Sequence, residues 1–306
     1  MVKPRGGGQQ VDDMVGNATR CVLAVAGRHG PLLSPMACWS DGTALWMSTP
    51  AAAHKVAALR RRPECVVYVA PTGTEERGSV VHGSARVYGP EDPLGLVLHG
   101  PTVSAAMAAL ALRNAPSLLG YVQDAARVPW RFAWQNRVAL KVAVRELHGV
   151  GLPDLGPGVA PALPTEVPPD VRRALAGVRR AVLALRPEDA ADKPDKPDEP
   201  DGGRLVVGPV TLGAGNAVGG LGGLGIIPPV AGERPFAAPK RPDEPVALLL
   251  TADDRDRRPT SVVGLMLRGR LHGNRLEPTR VTWWQGFRTT TVTISPRPAG
   301  SVVLPD

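Results

Sequence analysis

The chain has 306 residues, 43% of them hydrophobic, with 35 glycines, 33 prolines and a formal charge of +8. This length and apolar content exclude a wholly disordered chain and allow one large core or two smaller ones. So much glycine and proline excludes long helices throughout, and the basic excess is spread along the chain without any nucleic-acid motif, so no nucleic-acid partner is expected.

The first ten residues, MVKPRGGGQQ, are polar and lack the apolar region of a signal peptide. From Thr19, TRCVLAVAG, PLLSPMACW and TALWMST read as three strands joined by tight turns, with Asp41-Gly42 as a hairpin signal. Then comes MSTPAAAHKVAALRRRP, in which Ser48 or Thr49 is a natural helix cap and Pro50 suits the first helical position. A helix start presents unpaired N–H groups, and Lys55 in the second turn adds a full positive charge, so the stretch is a candidate phosphate site. On the residues alone, a plain capped surface helix with a solvated lysine is the stronger reading.

Next, ECVVYVA and SVVHGSARVYG read as a second hairpin, followed by a helical segment from about Pro93 to Asp124 and the strand NRVALKVAVREL. Six strands with so few helices predict a small closed barrel ending near residue 150, since closure removes exposed sheet edges. Within the helical segment the Ala-rich piece Thr102 to Leu112 comes nearest to a membrane span and is too short for one, so no membrane attachment is expected.

Residues 151–203 read as a linking region: an amphipathic helix from Asp170 with Val171, Leu175, Val178, Val182 and Leu185 on one face, then the charged, proline-rich RPEDAADKPDKPDEPDGG. From 204 to 306 the chain is strand-rich again and echoes the first part. PECVVYVAPTGTEERGSVVHG and DEPVALLLTADDRDRRPTSVVG share strand, charged loop and Ser-Val-Val; PWRFAWQNRVALKV and PTRVTWWQGFRTTTV share Pro, Arg and Trp-Gln before a closing strand. This predicts an internal duplication whose second copy lacks the long helix.

Cys21, Cys38 and Cys65 are odd in number and lack metal-ligand spacing, which suits reduced core residues of a cytoplasmic protein. The six histidines form no local metal pair, and no metal is expected. The glycines of GAGNAVGGLGGLG lack dinucleotide-loop spacing, and no nucleophile motif for acyl transfer occurs.

Thr49, Lys55, Leu59, Pro63 and the strand CVVYV keep the order and spacing of a motif in the pyridoxamine 5'-phosphate oxidase-like FMN-binding split barrels, which residues 17 to 150 resemble. The resemblance implies a mainly β fold with short helices, a split β-barrel in tandem with a degenerate second half. It implies that Thr49 and Lys55 hold the flavin phosphate, beside which the Ser48 hydroxyl is a further candidate donor, and that Ser34, Pro35 and Met36 lie along the flavin ring. WWQG is similar to the FWQG segment of the vitamin B6 oxidases, which implies that Trp284 and Gln285 cover the cofactor. The chain departs from those enzymes in having FRTTTVT where they carry an RLHDR phosphate grip, and Ser and Met where they carry paired basic residues, so pyridoxine phosphate is not the expected substrate. The expected function is a flavin-dependent oxidoreductase transferring hydride to or from a small molecule, as a homodimer or internal pseudo-dimer, with no catalytic side chain singled out. A non-catalytic split barrel, a deazaflavin protein or a haem-binding relative are the alternatives.

Overall fold

The computed structural model describes residues 13–71, 77–115, 129, 136–152, 163–185, 205–213, 224–227, 245–252, 262–272 and 275–294. The first unit runs α1 (Asp13–Asn17), β1 (Arg20–Gly27), β2 (Gly30–Ser40), β3 (Ala44–Pro50), α2 (His54–Arg61), β4 (Glu64–Val69), β5 (Arg77–Tyr88), α3 (Pro93–Arg113) and β6 (Arg137–Gly151). Its six strands close into a barrel in the order β1-β2-β3-β6-β5-β4, as the strand count predicts. The Asp41-Gly42 turn behaves as its chemistry requires: Asp41 Oδ1 accepts from the N–H groups of Thr43 (2.9 Å) and Ala44 (2.8 Å), and Gly42 takes a φ of 87°.

Alternation along the strands sends Leu23, Val25, Cys65, Val67 and Val69 into the barrel, where α2 adds Val56, Ala58 and Leu59. All three cysteines are free and buried. A hydrogen bond with Cys38, together with burial, holds the Cys21 thiol well above its usual range, and burial pushes Cys65 up to about 12. These two thiols stay neutral near pH 7 and serve as small core residues.

The second unit runs α4 (Pro169–Leu175), β7 (Arg180–Leu185), β8 (Val206–Gly213), β9 (Leu224–Ile227), β10 (Pro245–Thr251), β11 (Val263–His272), β12 (Arg275–Gln285) and β13 (Arg288–Thr293). Its strands follow the order β10-β7-β8-β9-β12, and β11 pairs with both β10 and β12 to complete a ring. Strand for strand this is the order of the first barrel, with β7 in the place of β1 and β12 in the place of β6. Here β11 and β12 are joined directly across His272 and Arg275, where the first unit inserts α3. The second unit therefore repeats the strand order of the first without its long helix.

Two sequence expectations are corrected. The helix foreseen from Asp170 to Leu185 stops at Leu175, and Arg180–Leu185 is a strand between β8 and β10. Ala181, Leu183 and Leu185 alternate into the second core, and sheet pairing on both sides outweighs the helical spacing of Val178, Val182 and Leu185. The second sheet thus draws on residues upstream of 204. The Trp-Gln echo is also displaced by a strand: Trp284-Gln285 ends β12, whereas Trp134-Gln135 precedes β6 and lies outside the described residues. The Pro-rich segment after Leu185 and most of the glycine-rich stretch also lie outside them.

The two units meet through the outward faces of their strands. Ala24, Leu33, Val66, Tyr68 and Val80 of the first share one cluster with Ala184, Val207, Ala247, Leu249 and Met266 of the second. Runs such as CVVYV and VALLL are apolar at every position because one parity fills a barrel and the other fills this interface.

Helix α3 begins at Pro93, with the Asp92 carboxylate accepting from the Gly95 N–H at 2.9 Å. Starting nine residues before Thr102, it is long and apolar enough to cross a membrane by length and composition, contrary to the shorter span expected. Leu94, Val97, Leu98 and Leu112 are 71–78% exposed, while another stripe of the same helix faces a cavity.

Candidate functional site

A cavity of about 640 Å³ lies between the first barrel, α3 and the β12–β13 turn of the second unit. Its first wall comes from adjacent strands. Ser48, Thr49 and Pro50 remain in the β3 ladder, opposite Ala139, Val138 and Arg137 of β6. The residue before a proline is biased towards extended backbone, which keeps Thr49 in the strand. Helix α2 starts only at His54, after Ala53, and no side chain caps it. The expected Ser48 or Thr49 cap is therefore absent, and Lys55 lies in the first helical turn.

This arrangement gathers donors. Arg137 donates from Nε to Ser48 Oγ (2.9 Å) and from Nη2 to the Ser48 carbonyl (2.8 Å), which fixes the guanidinium beside the strand. The Thr49 hydroxyl is buried and has no hydrogen-bond partner. Among the described residues Lys55 Nζ makes one polar contact, with the thioether of Met36 at 3.3 Å, and no carboxylate pairs with it. Part of the Lys55 side chain borders the cavity, but protein surrounds the ammonium closely. Burial first, then the nearby Arg137 charge, lowers its pKa from 10.5 to about 8. Lys55, which no carboxylate among the described residues pairs, and the orphaned Thr49 hydroxyl lie near the Arg137 guanidinium, a set of groups with the chemistry to take an anion.

The second wall is apolar. Helix α3 contributes Leu96, Val103, Met107, Leu110 and Ala111, and its one polar lining residue, Asn114, donates to the carbonyls of Leu110 (3.0 Å) and Cys38 (3.4 Å). Tyr88 lines the cavity with its ring stacked on buried Trp46, centroids 6.1 Å apart.

The third wall belongs to the second unit and includes Trp284, Gly286 and Phe287. The two tryptophans of β12 point to opposite faces: Trp283 packs against the second core, and Trp284 faces the cavity and the inter-unit cluster. Trp284 lies across Gly264, its direct partner on β11, where an added Cβ would come within 2.1 Å of the indole. Gly264→Ala is therefore expected to push the indole towards the cavity and destabilise the fold by about 1–3 kcal/mol. A shifted tryptophan emission maximum together with a lower urea midpoint checks this; an unchanged spectrum would count against the placement. Gly286 (φ 59°) opens the two-residue turn that brings Phe287 to the same wall.

Of the sequence-predicted residues, the structure brings Pro35, Met36, Ser48, Thr49, Lys55 and Trp284 to this cavity. Ser34 and Gln285 are not among its lining residues. Gln285 follows Trp284 on the strand, so the pleat turns it to the other face, where it is exposed. Ser34 lies two residues before Met36, about 6.6 Å further along β2. His82 packs edge-on against His148, with centroids 5.7 Å apart. Sequence reasoning missed Arg137 and the α3 wall. The signal for Arg137 was its place at the start of β6, the strand that closes the barrel beside β3.

No family model matches the chain, and no curated protein matches it. Solved structures to which it is similar include a putative pyridoxamine 5'-phosphate oxidase from Listeria innocua, at 12% identity and a TM-score of 0.29, over 44% of this chain and 91% of that one. A conserved hypothetical protein from Mycobacterium tuberculosis is 21% identical over 51% of this chain and 98% of its own, with a TM-score of 0.33. A pyridoxamine 5'-phosphate oxidase-related, FMN binding protein from Nostoc punctiforme is 14% identical over 44% and 74%, with a TM-score of 0.34. At these values the likeness carries no argument about what this chain binds or does.

Proposed function

We propose that the chain binds FMN in this cavity and acts as a flavin-dependent oxidoreductase of the pyridoxamine 5'-phosphate oxidase-like class, on a small molecule other than pyridoxine phosphate. The observation that carries this reading is the anion corner: Lys55 without a carboxylate, Arg137 fixed on Ser48, and the orphaned Thr49 hydroxyl. These residues fit a phosphate, and the apolar and aromatic walls fit a flat ring system. Bound there, the flavin supplies hydride-transfer chemistry that no side chain offers. Lys55, Arg137 and Thr49 hold the phosphate, while Trp284 and Phe287 shield the ring from water. Because the second unit supplies that shield, a single chain completes the site as an internal pseudo-dimer. A deazaflavin also carries phosphate and competes for the same corner. Haem finds no histidine among the described lining residues.

The test is the visible spectrum of the purified protein followed by FMN titration. Flavin bands, or saturable quenching of FMN fluorescence, support the reading; deazaflavin absorption with no response to FMN replaces the cofactor, and a protein that ignores both overturns it. Thr49→Val sharpens the test, because it removes a buried hydroxyl that the ligand-free protein leaves unpaired. Its urea midpoint should hold or rise, while FMN affinity falls about 5- to 10-fold, the worth of one hydrogen bond.

A further inference from the structure

Helix α3 carries no charged side chain before its last residue, Arg113, which bonds Asn17. From Pro93 to Leu112 it carries no Asp, Glu, Lys or Arg, and its cavity stripe of Leu96, Val103, Met107, Leu110 and Ala111 is wholly apolar. From Leu96 to Asn114 this wall runs about 27 Å along the helix axis. Asn114 has turned its amide group to two backbone carbonyls. Among the described lining residues, the groups best placed to hold an anion, Ser48, Thr49, Lys55 and Arg137, come from the strand ladder and α2, and the one further cation, Arg20, is exposed. If a cofactor phosphate takes the Lys55 corner, a second molecule beside the ring meets aliphatic side chains, a methionine and the face of Tyr88. A carboxylate or phosphate placed there would lose hydration, and the described residues of that wall offer it no side-chain donor in return.

We propose that the α3 side of the cavity binds the substrate, and that this substrate is an uncharged, largely apolar molecule of about the size of a fused aromatic ring pair. This inference rests on the flavin reading for its assignment of the Lys55 corner. Met107 is partly buried and central in the stripe, so it sets the width available, and its flexible thioether suits contact with an aromatic edge.

The experiment uses two probes of one shape, 2-naphthol, neutral at pH 7, and naphthalene-2-sulfonate, titrated calorimetrically into the FMN-loaded full chain. The neutral probe should bind at least about 10-fold more tightly. Met107→Asp should weaken 2-naphthol by about 10-fold or more, and Met107→Trp, which fills the space without adding charge, should weaken it similarly. FMN affinity in both variants should stay within about 3-fold of the parent. Leu98→Asp, on the exposed face of the same helix, should change neither ligand. Equal or tighter binding of the sulfonate overturns the proposal, as does 2-naphthol affinity that ignores both Met107 changes. Failure of FMN to bind at all sinks the flavin reading separately, and 2-naphthol titrations of the FMN-free parent and Met107 variants then decide the α3 assignment by the same criteria.

Discussion

Lys55→Met is expected to stabilise the ligand-free protein and to weaken FMN at the same time. In the free protein the ammonium has lost much of its hydration and faces Arg137, with only a thioether in contact. Methionine keeps most of the stem and removes the charge, so ligand-free stability at pH 7 should rise by about 1–2 kcal/mol. The phosphate loses a charge-assisted bond in a poorly solvated corner, which corresponds to about a 10- to 100-fold rise in Kd. The pH dependence follows from the lowered pKa. Below about 8 both folded and unfolded chains hold the Lys55 proton, and the cost of burying the charge is fully present. Between about 8 and 10.5 the folded state has released a proton that the unfolded state retains, so this contribution makes stability rise with pH. Lys55→Met should abolish that rise. FMN affinity in the parent should fall over the same interval, because the corner loses its charge. Urea unfolding at pH 7 and pH 10 with FMN titrations at both values checks each statement. A variant that is less stable at pH 7 and binds FMN as tightly as the parent would remove Lys55 from the phosphate site.

The barrel was legible because its determinants are local. Alternating or fully apolar runs bounded by turn residues marked β1 to β6, and Asp41-Gly42 marked a turn whose hydrogen bonds the structure bears out. The order of strands in the second unit repeats the first, so the echo between ECVVYV and PVALLL reported a real topological match, β4 with β10. Arg180–Leu185 was misread because its apolar residues satisfy both helical and strand spacing, and only pairing with β8 and β10, distant in sequence, decides between them. The same limit hid Arg137, whose role depends on lying across from Pro50, 87 positions earlier.

The site divides along the same line. Thr49 and Lys55 are six residues apart, so a motif could hold them, although the physical reason first given, a capped helix start, gives way to a strand hydroxyl beside a first-turn lysine. Trp283-Trp284 could have been a core pair, or Trp284 could have faced a cavity with Gln285; strand alternation sends Trp283 to the second core, Trp284 to the cavity wall and Gln285 to solvent. The apolar wall of α3 was not foreseen, since a helix that is apolar on two stripes gives no periodic clue to which stripe faces a cavity.

A charge placed in the seam between the units should empty a site that it does not touch. Leu249 is 2% exposed, pairs across the sheet with Met266 and Val182, and packs in the cluster shared with Ala24, Val66 and Tyr68. None of its cross-strand neighbours can neutralise a carboxylate. Leu249→Asp should therefore cost about 4 kcal/mol or more, and the route to relief is separation of the two faces. The first barrel keeps its own core and the Lys55 corner, because Leu23, Val67, Leu140 and their neighbours belong to a different cluster. What leaves is the wall of Trp284 and Phe287, so the ring loses its shield while the phosphate keeps its grip. FMN affinity should fall by about 100-fold or more, whereas Trp284→Ala, which removes one aromatic contact and leaves the seam closed, should cost about 10-fold. Hydrogen exchange reports the separation directly: protection should drop in β10 and in β2 and β4 of the first unit, which pack against the second, and persist in β3 and β6. If Leu249→Asp opens the seam by that measure and FMN binds as before, the second unit takes no part in the site and the flavin is held by the first barrel alone.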